Sequence, residues 1–148
     1  MKIAKNFSEL IGSTPMLELC KIEEELKLEA KIFAKLEGLN PGGSIKDRVA
    51  CSMIDDAEKN GMLKPNSLII EPTSGNTGVG LAFVCSTRGY NLILTMPDTM
   101  SRERMSLLKA YGAELVLIHD DGDIGACIRQ CLETAIRMSK EDPNVWVP

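Results

Sequence analysis

The sequence has a single histidine, His119, and none of its five cysteines stands in a C-x-x-C pair. A zinc site of Cys and His would need widely scattered ligands, and an odd number of cysteines argues against a disulfide framework. Cys20, Cys51, Cys85, Cys127 and Cys131 therefore read as reduced thiols acting as small hydrophobes, and no metal site is expected. No run of Lys or Arg marks a nucleic-acid arm. The 17 basic and 21 acidic residues leave a net charge of -4, the wrong sign for a phosphate backbone. The longest apolar stretches, around Ser67–Ile70 and Leu92–Met96, fall far short of the roughly 20 residues a bilayer requires. Met1–Ser8 carries two lysines, but no apolar core follows as it would in a secretory signal. A cytoplasmic protein is expected.

What is present suits one globular domain. The 148 residues can enclose a real core, and 44% hydrophobic with 26% charged residues is an ordinary globular balance. No internal repeat or low-complexity segment occurs. Instead, short apolar strands alternate with amphipathic helices. Ala30–Leu36 alternates with period two and predicts a strand, followed by the loop Asn40–Ser44 and a helix over Ile45–Lys59 stopped by Asn60-Gly61. Strand Ser67–Glu71 leads to a helix over Asn76–Thr87, ended by Gly89. Strand Asn91–Met96 leads to a helix over Ser101–Ala110, ended by Gly112. Strand Glu114–Ile118 leads through the acidic turn Asp120–Asp123 to a helix over Ile124–Lys140, and Asn144–Val147 starts one more strand. Strands spaced by helices of this length predict right-handed βαβ units, so the expected class is α/β, a parallel open sheet with helices on both faces. Before this pattern, Phe7–Gly12 predicts a short helix, Thr14–Glu18 a short strand and Glu23–Lys27 a charged, solvated turn.

Two loops lie where a strand ends and a helix begins, the edge at which parallel sheets bind ligands. The first is Asn40-Pro-Gly-Gly-Ser-Ile-Lys-Asp-Arg48. Gly42 and Gly43 allow close backbone approaches, and Ser44 suits an N-cap. Lys46 then falls in the first helical turn, where the helix dipole disfavours a cation. A field of that sign favours the neutral amine that a Schiff-base lysine needs. Read alone, the loop also suits an exposed lysine offset by Asp47. The second loop is Glu71-Pro-Thr-Ser-Gly-Asn-Thr-Gly78. Thr73, Ser74, Asn76 and Thr77 surround Gly75 and Gly78 at a helix start. They suit a carboxylate-binding loop, or a cap cluster of Ser, Thr and Asn. Neither loop has the spacing of a nucleotide-binding motif. His119 reads as a surface or loop residue, Met53, Met62, Met96 and Met105 as core filler, and Asp120–Asp123 as a solvated turn without the further spacing of a calcium loop.

The two loops, about thirty residues apart, resemble those of the cysteine synthase (O-acetylserine sulfhydrylase) and cystathionine β-synthase family of fold-type II pyridoxal-phosphate enzymes. The resemblance extends through Ile11–Pro15, Met96–Ser101 and Leu107–Glu114, nearly the whole chain. It implies that Lys46 bonds the cofactor pyridoxal 5'-phosphate and carries the proton at the substrate Cα, and that Asn76 hydrogen-bonds the 3′-oxygen of the ring. Thr73, Ser74, Gly75 and Thr77 would hold the substrate carboxylate. The implied reaction is β-replacement that makes L-cysteine from O-acetyl-L-serine and sulfide. Cystathionine synthesis or β-elimination from cysteine or serine are variants, and a non-catalytic fragment that regulates a longer relative is a reading of another class.

The resemblance also implies a homo-oligomer or a complementing chain, and serine acetyltransferase as a partner. Residues 1–40 would belong to a larger domain and 41–148 form the smaller one. The family's phosphate-binding loop and the partner of the pyridine nitrogen lie beyond this length. The chain is therefore expected to be an incomplete half, inactive alone, with apolar surface exposed along Met1–Leu39 and at Asn144–Val147.

Overall fold

The computed structural model describes residues 3–73 and 75–148. Its body is a parallel sheet of strands β3 (Leu68–Pro72), β4 (Asn91–Pro97), β5 (Glu114–Ile118) and β6 (Val145–Trp146). It is preceded by β1 (Met16–Glu18), helix α1 (Cys20–Glu25), β2 (Phe33–Lys35) and α2 (Lys46–Lys59). Helices α3 (Asn76–Arg88), α4 (Arg102–Ala110) and α5 (Ile124–Glu141) connect the four body strands.

The sheet order is β5-β4-β3-β6, with every pair parallel. From β3 to β5 the chain steps one way across the sheet. It then returns through α5 to place β6 on the far side of β3. Right-handed crossovers put helices of opposite stepping direction on opposite faces, and the packing follows that rule. Ile69, Leu92, Leu94 and Met96 face α2, α3 and α4, together with Ile54, Leu81, Val84 and Leu108. Ile70 and Ile93, one position out of phase, face Ala135 of α5. These are the two sides of period-two strands buried on both faces. Thr95 Oγ1 donates to the Cys131 carbonyl at 2.9 Å, tying β4 to α5 without leaving a buried hydroxyl unpaired. Leu94 is fully buried, and truncating such a residue to alanine costs about 2–5 kcal/mol.

The N-cap position of α2 is Ile45, which offers no side-chain cap, one residue after the expected Ser44, whereas α4 and α5 are capped at residues that the sequence reading places in a helix and a turn. Ser101 Oγ accepts the Arg104 N–H and Asp123 Oδ1 the Ala126 N–H, opening α4 and α5. Gly89 ends α3 at φ 78°, a left-handed conformation in which its N–H reaches the Cys85 carbonyl. All five cysteines are free, with Cys85, Cys127 and Cys131 buried as core residues and Cys20 exposed.

Before α2 the structure departs from the simple alternation. The strand expected over Ala30–Leu36 is confined to Phe33–Lys35. It pairs antiparallel with β1 (Leu17 opposite Ala34) in a separate two-stranded sheet. Phe33, Met16 and Leu17 are more than half exposed, so this pair lacks the two covered faces that membership of a parallel sheet requires. The charged turn expected at Glu23–Lys27 is instead largely helical. Glu23 of α1 is buried and accepts the Ile32 N–H at 2.6 Å, closing the α1–β2 connection. Exposed apolar surface is present in the amino-terminal segment, where Leu39 is 64% exposed. At the carboxyl end that expectation fails. Val145 and Trp146 pair with Leu68 and Ile69, and Trp146 packs against the main core.

Candidate active site at two helix starts

The turn before α2 is built around a buried acid. Asp47 is fully buried, and its Oδ2 accepts the Gly42 N–H at 2.6 Å. A Cβ on Gly42 would stand 2.5 Å from Asp47 Oδ1, so only glycine fits there. Burial pushes the Asp47 carboxyl above its ordinary range, while the Gly42 N–H pulls it back. Ser44 Oγ accepts the Lys46 N–H at 3.1 Å, meeting one of the unsatisfied donors at the helix start. Lys46 is the first residue of α2.

A second set of contacts ties this turn to the amino-terminal segment. Arg48 forks onto Glu37, with Nε to Oε2 at 2.8 Å and Nη2 to Oε1 at 2.9 Å. Thr14 Oγ1 donates to Glu37 Oε1 at 2.7 Å, and Asn40 Nδ2 to Glu37 Oε2 at 2.9 Å. The Asn40 side-chain oxygen in turn accepts the Gly12 N–H at 2.8 Å. The Arg48 guanidinium is the main cause holding the Glu37 carboxyl at about 2, well below the usual range. Planar fork geometry makes this pair directional as well as charged.

The second loop follows β3. Thr73 Oγ1 accepts the Gly78 N–H at 3.1 Å and the Gly75 N–H at 3.4 Å, so it acts as the helix cap that Gly75 cannot be. A hydroxyl accepting in this way still keeps its one O–H donor. Asn76 is exposed and Thr77 half-buried at the start of α3, and Gly75 has open space around it. Ser74 lies outside the described residues. Just upstream, burial pushes the Glu71 carboxyl up to about 7.

The packing of α2 on α3 brings the two loops together. The Lys46 carbonyl oxygen would lie 2.7 Å from a Cβ built on Gly80, one turn along α3 from Asn76. Among the described residues, neither Lys46 Nζ nor the Asn76 amide has a hydrogen-bond or ion-pair partner. An apolar cavity of about 170 Å3, lined by Pro72, Thr73, Pro97, Ile128, Cys131 and Leu132, borders the same loop from the α5 side.

Of the residues singled out in the sequence, Lys46, Thr73, Gly75, Asn76 and Thr77 thus share one edge of the fold. The sequence reading missed Glu37, Thr14, Asn40 and the structural part of Arg48 and Asp47. Only the position of Asp47 and Arg48 beside Lys46 offered a signal for them. His119 is on the surface, its Nδ1 2.8 Å from Asp98 Oδ2, and that hydrogen bond is the chief cause raising its pKa.

Residues 7–148 match the family model described as pyridoxal-phosphate dependent enzyme. The chain belongs to that family. It is 49% identical over 148 residues to a probable cysteine synthase of Bacillus subtilis, covering all of this chain and 46% of the relative. It is 50% identical over 145 residues to a cysteine synthase of a Flavobacterium species, covering 97% of this chain and 45% of the relative. The crystal structure of a hydrogen sulfide-producing enzyme from Fusobacterium nucleatum superposes with a TM-score of 0.86 at 43% identity. It covers all of this chain and 46% of that one. The chain therefore spans about half the length of these relatives.

Proposed function

We propose that this chain carries the lysine-bearing half of a pyridoxal-phosphate active site that makes cysteine by β-replacement on an O-activated serine. The observation that supports the reading is the α2–α3 contact, in which the Lys46 carbonyl packs on Gly80, one turn along α3 from Asn76.

The residues present fit the cofactor. Lys46 Nζ, without a partner among the described residues, suits its aldehyde carbon, and the exposed Asn76 amide, likewise without one among them, suits its ring oxygen. When bound, pyridoxal phosphate supplies the electron sink that makes the substrate Cα–H acidic. Lys46 then takes and returns the proton at that Cα. The O–H of Thr73, the backbone at Gly75 and the side chains of Ser74 and Thr77 would hold the substrate carboxylate at the positive end of α3. Asn76 would hold the 3′-oxygen of the ring and so orient it. Residues 41–148 form the smaller domain in this reading, and 1–40 belong to a larger body completed by the remaining length that the relatives have. A cytoplasmic homo-oligomer that associates with serine acetyltransferase completes the proposal. Among the described residues, no helix is long and apolar enough to cross a membrane.

The likeness to the hydrogen sulfide-producing enzyme favours a second reading, β-elimination from cysteine at the same site. Product analysis with O-acetylserine plus sulfide, and with cysteine alone, separates the two. The site itself is tested by reducing the full-length protein with borohydride in the presence of pyridoxal phosphate and mapping the modified peptide. Modification is expected on Lys46, and a label on any other lysine would overturn the assignment.

A further inference from the structure

We propose that Gly80, outside both loops, is a positioning residue that sets how closely Lys46 approaches the start of α3. This inference rests on the function proposed above. Gly80 lies inside α3, where glycine makes a weaker helix than alanine would. Nothing about its own backbone calls for glycine, since helical dihedrals suit any L-residue. The reason is across the interface. A Cβ at this position would meet the Lys46 carbonyl oxygen at 2.7 Å, the Lys46 carbonyl carbon at 3.0 Å and Ala50 Cβ at 3.2 Å. The first two atoms are backbone, which cannot swing aside as a side chain does.

The contact has a functional direction. Asn76 and Gly80 are four residues apart and share one face of α3. The lysine backbone is thus pressed against the same face that carries the proposed ring-binding amide one turn away. On the α2 side, Ala50 is fully buried and small, so it keeps the same gap closed. A methyl group at position 80 forces α3 and the Lys46 backbone apart until the contact relaxes towards 3.4 Å, the start of ordinary van der Waals range. The carboxylate loop hangs from β3 and from Thr73, whose hydroxyl is held by the Gly78 N–H, and it stays in place. The change therefore separates the lysine from the substrate position while leaving the substrate site intact.

The test uses the full-length protein loaded with pyridoxal phosphate, comparing Gly80→Ala with wild type and with Ala57→Gly. The last is a destabilising control at a buried α2 position far from the site. Misplacement on the order of 1 Å can cost about 100-fold in rate, so a roughly 10- to 100-fold fall in kcat per folded molecule is expected, with KM within about twofold. Amide exchange at Lys46–Ala50 is expected to quicken in Gly80→Ala while α5 stays protected. Unchanged kcat and unchanged exchange in the folded variant would overturn the proposal, as would an equal fall in kcat in Ala57→Gly. If Gly80→Ala does not fold, Ala50→Ser wedges the same gap from the α2 side and is read by the same two measurements. A wild type with no reducible cofactor on Lys46 would sink the proposed function instead, and amide exchange would still decide the role of Gly80.

Discussion

Replacing Glu71 by glutamine should make the folded protein less sensitive to alkaline pH. Glu71 sits at the end of β3, where burial lifts its carboxyl to about 7 from an ordinary 4.5. Between those values the unfolded chain has released this proton while the folded chain still holds it. The contribution of Glu71 to stability is therefore fully present below about pH 4.5, declines as pH rises, and is gone above about pH 7. Each pKa unit is worth about 1.4 kcal/mol, so the whole window amounts to about 3 kcal/mol at most. A glutamine at this position is neutral throughout. Any cost of burying its amide is the same at both ends and cancels. Urea unfolding of wild type and Glu71→Gln at pH 5 and pH 8 measures the difference directly. Wild type should lose up to about 3 kcal/mol more than the variant between the two pH values, or roughly 5–10 °C in melting temperature for a chain of this size. Parallel pH dependences would show that Glu71 is hydrated or paired in the folded protein, and the burial argument would fail.

Lys46→Ala should abolish borohydride-trapped cofactor with an unchanged far-ultraviolet spectrum. Asn76→Ala should keep the trapped adduct but weaken cofactor binding and slow turnover, and loss of the adduct in Asn76→Ala would contradict its role as an orienting group. Glu37→Gln should alter the acid limb. With its carboxyl held at about 2, Glu37 contributes stability above pH 4.5 that is lost as pH falls towards 2. The variant should show a shallower acid transition, and an unchanged one would mean that the Arg48 fork has no thermodynamic weight.

The parallel sheet was readable in the sequence because each level of signal agreed. Ile69 and Ile70 report a strand buried on both sides, and Gly89 ends α3 where the sequence puts its stop. The segment before α2 was less readable. β1 and β2 are three residues each, and Leu19, the N-cap of α1, offers no side-chain cap, so neither periodicity nor capping marks them strongly. The two candidate loops were visible as motifs, but the Thr14–Glu37–Arg48 network was not. Its members are 11 to 34 residues apart and acquire meaning only when the chain folds back. The Gly80 contact was hidden for the same reason, since a glycine in a helix says nothing about the helix it touches.

The fork between Arg48 and Glu37 spans a seam. On one side stands the small antiparallel pair with its exposed apolar residues, and on the other the parallel body. Lys46 lies two residues from that clamp, so its backbone is mounted beside the joint between the two layers. The Arg48 guanidinium and the Asn40 side chain, which accepts the Gly12 N–H, are hydrogen-bonded links by which the amino-terminal layer is tied to the turn carrying Lys46.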